Sequence, residues 1–211
     1  MDKAEILQWL REENEIRLEE LWRMADAVRR AHVGDAVHLR GLLEISNYCC
    51  RECGYCGLRA GNRGVERYRM SEAEIVECAH QAKRYGYGTV VMQSGEDYGI
   101  ECDWMAGVIR RIKSEIRLAV TLSLGERSDE ELEVWRTAGA DRYLLRFETS
   151  DPELFRLIHP SLPHRPASDR IAMLRRLKAL GYEAGSGVMI GIPGQTRSEE
   201  HTSELQSPNT I

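Results

Sequence analysis

The stretch "AVHLRGLLEISNYCCRECGYC", residues 36–56, runs an apolar segment straight into a loop that holds four of the chain's six cysteines within eight residues. Residues 36–46, rich in Val, Leu and Ile, read as a strand. The loop offers two triads: Cys49, Cys53 and Cys56 give C-x3-C-x2-C, and Cys50, Cys53 and Cys56 give C-x2-C-x2-C. A disulfide, a zinc ion and an iron–sulfur cluster are the three candidates for what they hold, and each implies a different protein.

Downstream, strands and helices alternate. Ser71 with Glu74 makes a capping-box signature for a helix over 72–85, closed by Gly86 and Gly88. "TVVMQS" (89–94), "RLAVTLSLG" (117–125) and "RYLLRFE" (142–148) predict three further strands, and "AGSGVMIGIPG" (184–194) a fifth with its following loop. Helices are expected over 103–115, over 128–137 before Ala138-Gly139, and over 167–180 before Gly181. Upstream, apolar positions from Ile6 to Val28 recur at helical spacing and split near Asn14. They form a helical preface, 1–35, ahead of the main fold, 36–196.

Strands alternating with helices of about 10–15 residues imply an α/β fold with a parallel sheet. Polar residues gather at the C-terminal end of each strand: the cysteines, then Gln93 to Asp97, Ser123 and Glu126, Arg146 and Glu148, and Pro193 to Gln195. That face carries the active site in a βα barrel. A doubly wound sheet puts ligands there too.

At 42% hydrophobic and 30% charged, the composition suits one soluble domain. The net charge of -5 argues against a nucleic-acid partner. The first residues lack an apolar run of signal-peptide type, and nothing approaches the roughly 20 apolar residues of a membrane span. The expected compartment is the cytoplasm, where thiols stay reduced, which disfavours a disulfide. Structural zinc needs four ligands, usually two pairs separated by a dozen or more residues. No second pair follows, and adjacent Cys49 and Cys50 point apart in an extended backbone. Three thiolates in a short loop suit a four-iron cluster that leaves one iron without a protein ligand.

The C-x3-C-x2-C spacing after the first strand, with Tyr55 just before the last cysteine, resembles the signature of radical S-adenosylmethionine (radical-SAM) enzymes. "NYCCRECGYCGLRAGN", "RYRMSEAEIV", "VMQSGEDYG", "TLSLGE", "GADRYLLRFETSDP" and "GIPGQT" extend the likeness over residues 5–196. Within the biotin-synthase-like branch they resemble the HydE-type maturases of iron–iron hydrogenase; "QSGED" and "TLSLGE" separate the chain from biotin and methylornithine synthases. The resemblance implies a TIM-type (β/α) barrel of eight strands, of which about five βα units are present. It implies a [4Fe-4S] cluster, S-adenosylmethionine (SAM) and a 5′-deoxyadenosyl radical that attacks a small organometallic precursor of the hydrogenase cluster. The partners it implies are an electron donor such as ferredoxin or flavodoxin, and companion maturases. An alternative is a biotin-synthase-like or methylornithine-synthase-like enzyme on another small molecule; a zinc-bound structural module is a reading from a different class.

Carried over residue by residue, the resemblance makes Cys49, Cys53 and Cys56 the cluster ligands and Cys50 a bystander. Tyr55 lies near the adenine, Gly95 and Glu96 hold the methionine amino group, Glu148 bonds SAM, and Arg170 pairs with its carboxylate. Ile192, Pro193 and Gly194 pass along the adenine. Gln93, Ser94, Thr121 and Arg146 face the substrate. The bland readings are that Glu96 and Asp97 are solvated loop acids, that Glu148 is an ordinary strand-end acid, and that Arg170 is an exposed helix residue. Cys78 reads as core filler and Cys102 as neutral, while His80, His159 and His164 lack ligand spacing.

Residues 197–211, "RSEEHTSELQSPNTI", drop the family pattern and lack an apolar stripe. Arg197 to Ser207 resemble the translation of a common sequencing adapter, so this tail is expected to be non-native read-through. Five strands of an eight-stranded barrel would leave an open edge and an uncovered interior, so the chain as written is expected to be poorly soluble or inactive.

Overall fold

The computed structural model describes residues 2–161 and 169–196. His164, residues 167–168 of the expected helix and the adapter-like tail lie outside the described residues. The chain divides into two units, Met1–His38 and Leu39–Ile211. In the first, α1 (Lys3–Leu10) starts at a reciprocal capping box between Asp2 and Glu5. α2 (Glu15–Val33) starts at Asn14, whose side chain accepts from the amides of Ile16 and Arg17. The break at Asn14 is thus a helix cap, which satisfies amides that have no intrahelical partner.

The second unit runs β1 (Gly41–Ser46), α3 (Glu72–Arg84), β2 (Thr89–Ser94), α4 (Cys102–Arg111), β3 (Ala119–Ser123), α5 (Asp129–Ala138), β4 (Arg142–Leu144), α6 (Pro152–Ile158), α7 (Arg170–Ala179) and β5 (Glu183–Gly185). Among the described residues the strands form one parallel sheet in the order β1-β2-β3-β4-β5. A doubly wound sheet reverses its strand order at a switch point. Here each strand follows its predecessor without reversal, as in part of a βα barrel. Among the described residues no helix is long and apolar enough to cross a membrane.

Alternation sorts the strand residues. Leu43, Ile45, Val90, Met92, Val120, Leu122, Tyr143 and Leu145 are buried with Ile75, Ile109, Trp135 and Leu177 from the helices. The other sheet face carries Leu42, Val91, Thr121 and Arg142 in one row, with Glu44, Gln93 and Ser123 in the next, as the register aligns them. The helix layer therefore fixes one face, and the opposite face and the strand ends are left to carry chemistry.

The structure corrects several boundaries. Residues 36–40 are not strand: the ladder to β2 begins at Gly41, opposite Val90. The expected helix over 103–115 is α4 followed by a π-turn, Ile112–Ile116, closed by Arg117 in the left-handed region at φ 59°. The fourth strand stops at Leu144 because the Ser186 hydroxyl intrudes, donating to Leu145 O and accepting from Phe147 N. Helix α6 was not anticipated, although Asp151 caps it and Pro152 opens it, a legible start signal.

Candidate active site

The segment between β1 and α3 closes on itself through its own hydrogen bonds. Ser46 and Arg69 form an antiparallel bridge, and Met70 N donates to Ile45 O at 2.8 Å. Arg67 donates to the carbonyls of Asn47, Leu58, Arg59 and Asn62, filling the loop with one guanidinium. Arg69 grips Asp97 through two bonds of 2.7 and 2.9 Å and lies 4.0 Å from the Tyr48 ring centroid. The Ser46 hydroxyl adds a 2.6 Å bond to Asp97. Burial alone would raise the Asp97 carboxyl, but the Arg69 and Ser46 bonds outweigh it and hold it below the usual range.

The cysteine segment is anchored on both sides. Cys50 N donates to Glu96 O at 3.0 Å, and Gly54 N donates to Ile158 O at 2.9 Å. Gly95 sits beneath it: a Cβ there would lie 2.3 Å from Tyr48 O and 2.7 Å from Cys49 Cβ. Any side chain at position 95 would have to displace backbone, so the contact requires glycine.

All six cysteines are free thiols. Cys53 is buried, and its thiol is pushed up to about 11, first by burial; Cys49 and Cys56 raise it further, while Arg170 and Arg51 oppose. The charges of Cys49 and Cys56 therefore bear on Cys53. Cys50 Sγ instead lies 3.8 Å from Glu96 Oε1. Among the described residues no three Cys, His, Asp or Glu side chains converge closely enough to hold a single ion. A four-iron cube takes one thiolate on each of three irons and so needs its thiols spread apart. The donor set and the cradle at Gly95 fit such a group.

Beside the thiols, charges alternate in a row. Arg51 Nε donates to Glu96 Oε1 at 2.8 Å and its Nη2 to Glu126 Oε2 at 2.7 Å. Arg170 Nε donates to Glu126 Oε1 at 2.8 Å, and its Nη1 to Arg146 O at 2.9 Å. The side chains of Arg51, Glu96, Glu126 and Arg170 are 13%, 4%, 8% and 11% exposed. Breaking one partner out of a buried pair costs about 3–5 kcal/mol, so this row behaves as one unit. Glu96 and Asp97 are not solvated loop acids, and Arg170 is not an exposed helix residue; each is tied to opposite charge.

A second cluster surrounds Tyr55. Its hydroxyl lies 3.3 Å from Glu148 Oε1 and 3.0 Å from His159 Nε2. Glu148 is buried at φ 66°, a left-handed conformation that non-glycine residues rarely adopt. Burial raises its carboxyl above the ordinary value, against Arg170, Arg146 and the Tyr55 bond. His159 stacks on Phe155 at 4.4 Å between centroids and is held down to about 4, first by burial and then by Arg170. It is neutral at pH 7.

The remaining candidates lie around these groups. Gln93 and Thr121 share the sheet face opposite the helices, and Arg146 lies just past the end of β4 and is exposed. Ser94 falls on the other face from Gln93, and its hydroxyl donates to Gly95 O at 2.6 Å. Thr121 Oγ1 is buried without a hydrogen-bond partner. Ile192 packs on Leu154 and Ile158 of α6; Gln195 clasps its turn by accepting from the amides of Gly191 and Ile192. Pro193 and Gly194 are exposed beside it. Sequence reasoning missed Arg51 and His159 and gave Glu126 no role. An arginine inside a cysteine loop was a signal for the first; His159 carried none, because the helix that delivers it was not anticipated.

Two outcomes follow from this packing. Gly95→Ala lowers stability by at least about 2 kcal/mol in chemical denaturation, whereas Gly107→Ala in α4, where a Cβ meets nothing within 4 Å, raises it by about 0.5–1 kcal/mol. His159 is depressed in the fold, so its contribution is present above its ordinary value of 6.5 and is lost as pH falls toward about 4. Between pH 7 and 4.5 the wild type loses about 2–3 kcal/mol more stability than His159→Gln; equal losses would place the imidazole in solvent.

Comparison with known proteins extends this geometry. The family model described as the Radical SAM superfamily matches residues 43–205. The chain is 48% identical over 178 residues to the [FeFe] hydrogenase maturase subunit HydE of Thermotoga maritima, covering 84% of this chain and 50% of that protein. It is 29% identical over 188 residues to a 3-methylornithine synthase of Methanosarcina acetivorans, covering 88% of this chain and 53% of that one. The crystal structure of methylornithine synthase (PylB) superposes with a TM-score of 0.82 at 27% identity, covering 96% of this chain and 59% of that one. The chain spans about half the length of the curated relatives it matches. With the cysteine loop at the C-terminal end of β1 and the family model matched through the sheet and its loops, the chain belongs to the radical SAM superfamily, whose members use a [4Fe-4S] cluster and SAM.

Proposed function

We propose that Cys49, Cys53 and Cys56 hold three irons of a [4Fe-4S] cluster, and that the surrounding residues hold SAM against it. The observation that carries this reading is the different surroundings of the two adjacent sulfurs: Cys49 Sγ accepts from the amides of Arg51 and Glu96, while Cys50 Sγ is turned to the Glu96 carboxylate. When bound, the cluster and SAM supply reductive cleavage of SAM to a 5′-deoxyadenosyl radical. The chain's own residues bind and orient. Glu96, in the loop after β2 and beside Cys50, is the acid that would accept from the ammonium group of SAM. Arg170 offers a planar fork suited to a carboxylate. Tyr55 and Glu148 flank the loop on the other side, and the turn of Ile192, Pro193 and Gly194 supplies backbone for the adenine. Raised by burial, Glu148 holds a proton more readily than an exposed acid, which suits a hydrogen bond to a neutral hydroxyl.

Gln93 and Thr121, on the sheet face opposite the helices, and Arg146, just past the end of β4, are the substrate-facing residues. The unpartnered Thr121 hydroxyl supports this, since a buried polar atom is costly unless something completes it. Ser94 is less well placed than Gln93 by its alternation. The substrate class follows the greater identity to HydE than to the methylornithine synthase: a small organometallic species in maturation of the iron–iron hydrogenase active site. An electron carrier such as ferredoxin or flavodoxin, and companion maturases, complete the proposal, with the cytoplasm as compartment.

Anaerobic reconstitution of the whole protein tests this. Wild type and Cys50→Ala bind about four irons per chain and convert SAM to 5′-deoxyadenosine under reduction. Cys49→Ala, Cys53→Ala and Cys56→Ala each lose the cluster. A colourless protein holding one zinc, or a cluster that depends on Cys50, rejects the assignment.

A further inference from the structure

Glu126 is held with more care than a surface acid at a strand end would need. Gly125, at φ 75°, turns the chain so that Glu126 faces the loop, and a Cβ on Gly125 would come within 2.8 Å of Glu96 Cγ. Tyr143 Oη donates to Gly125 O at 2.9 Å, and Tyr98 Oη donates to Glu126 O at 3.0 Å. Glu126 N donates to Glu96 Oε2 at 3.3 Å. On its other side the Arg127 side chain, fully buried, donates to Ile100 O and to Asp97 O and lies over the rings of Tyr98 and Trp135. The backbone of residue 126 is thus fixed from both neighbours.

The fixed carboxylate faces two cations. Oε2 takes Arg51 from the cysteine loop, and Oε1 takes Arg170 from the first turn of α7. The two elements are far apart in sequence and join here through one carboxylate. Arg170 is further constrained by Arg146 O and by Phe155, whose ring centroid lies 5.4 Å from its guanidinium carbon. With Nε and Nη1 both engaged, the plane of the Arg170 fork is set before any ligand arrives. A fork held in one plane loses less freedom on taking a second carboxylate.

We propose that Glu126 is a positioning residue for SAM: it orients Arg170 toward the ligand carboxylate and ties that orientation to the cysteine loop through Arg51. This rests on the reading of the loop as a cluster site. In this reading Glu126 acts through the two guanidiniums it holds, Arg51 and Arg170.

The experiment uses the reconstituted whole protein, as wild type, Glu126→Gln and Glu126→Ala. Iron per chain is measured first, then the dissociation constants of SAM and of decarboxylated SAM by equilibrium dialysis. Failure of the wild type to load iron defeats the cluster reading and not this inference in particular. With iron loading retained, Glu126→Ala is expected to weaken SAM at least tenfold and Glu126→Gln to fall between. Decarboxylated SAM, which lacks the group Arg170 would take, is expected to bind all three proteins within about twofold. Equal weakening of both ligands, or SAM affinity unchanged in both variants, overturns the proposal. Loss of iron in both variants also overturns it, because Glu126 would then support the loop alone.

Discussion

Two carboxylates and two guanidiniums alternate in a buried row, Glu96–Arg51–Glu126–Arg170, and the cysteine loop is joined to the sheet through it. Each charge in that row would be prohibitively costly alone, and each is acceptable because its neighbours have opposite sign. The row links the ends of β2 and β3 to the loop after β1 and to the start of α7. Elements distant in sequence are brought to one place by a constraint that is electrostatic, while the layer beneath them is held by apolar packing of the helices. The division of labour is that of a βα barrel: one face and the helix layer supply stability, and the strand ends supply chemistry.

The same arrangement gives the cysteines unequal surroundings. Cys53 is buried among cations and other thiols, Cys49 accepts from two backbone amides, and Cys50 faces a carboxylate. Cys53 and Cys56 are common to both triads, so Cys49 and Cys50 are the sulfurs that distinguish them: one accepts from backbone amides and the other lies beside a carboxylate. The choice between C-x3-C-x2-C and C-x2-C-x2-C therefore has a physical basis in what each sulfur faces.

Much of this was legible in the sequence. The capping box at Ser71 and Glu74, the strand at 89–94 and the stops at Gly139 and Gly181 are local signals, and the structure bears them out. The parallel sheet followed from alternation, but its winding order did not, because strand order depends on pairings no local pattern encodes. The ends of β1 and β4 were misjudged since a strand needs a partner as well as a propensity. At the site, spacing and resemblance pointed to the cysteines, Glu96, Glu148 and Arg170. The partners of those residues were hidden, because Arg51, Glu126 and His159 meet them across long sequence separations. An acid at a strand end looks solvated until the arginine that buries it is known.

The loop's backbone bonds and the charge row tie it to its surroundings, which predicts a cysteine loop already formed in the iron-free protein. Hydrogen–deuterium exchange of the iron-free chain, resolved by residue across 49–60, tests it most directly. The amides of Cys50, Gly54, Cys56 and Ala60 donate to Glu96, Ile158, Cys53 and Arg51 carbonyls and should exchange markedly more slowly than unstructured peptide. Exchange at the unstructured rate at all four, with protection appearing only after iron is added, would contradict the claim and make the metal the agent that folds the loop.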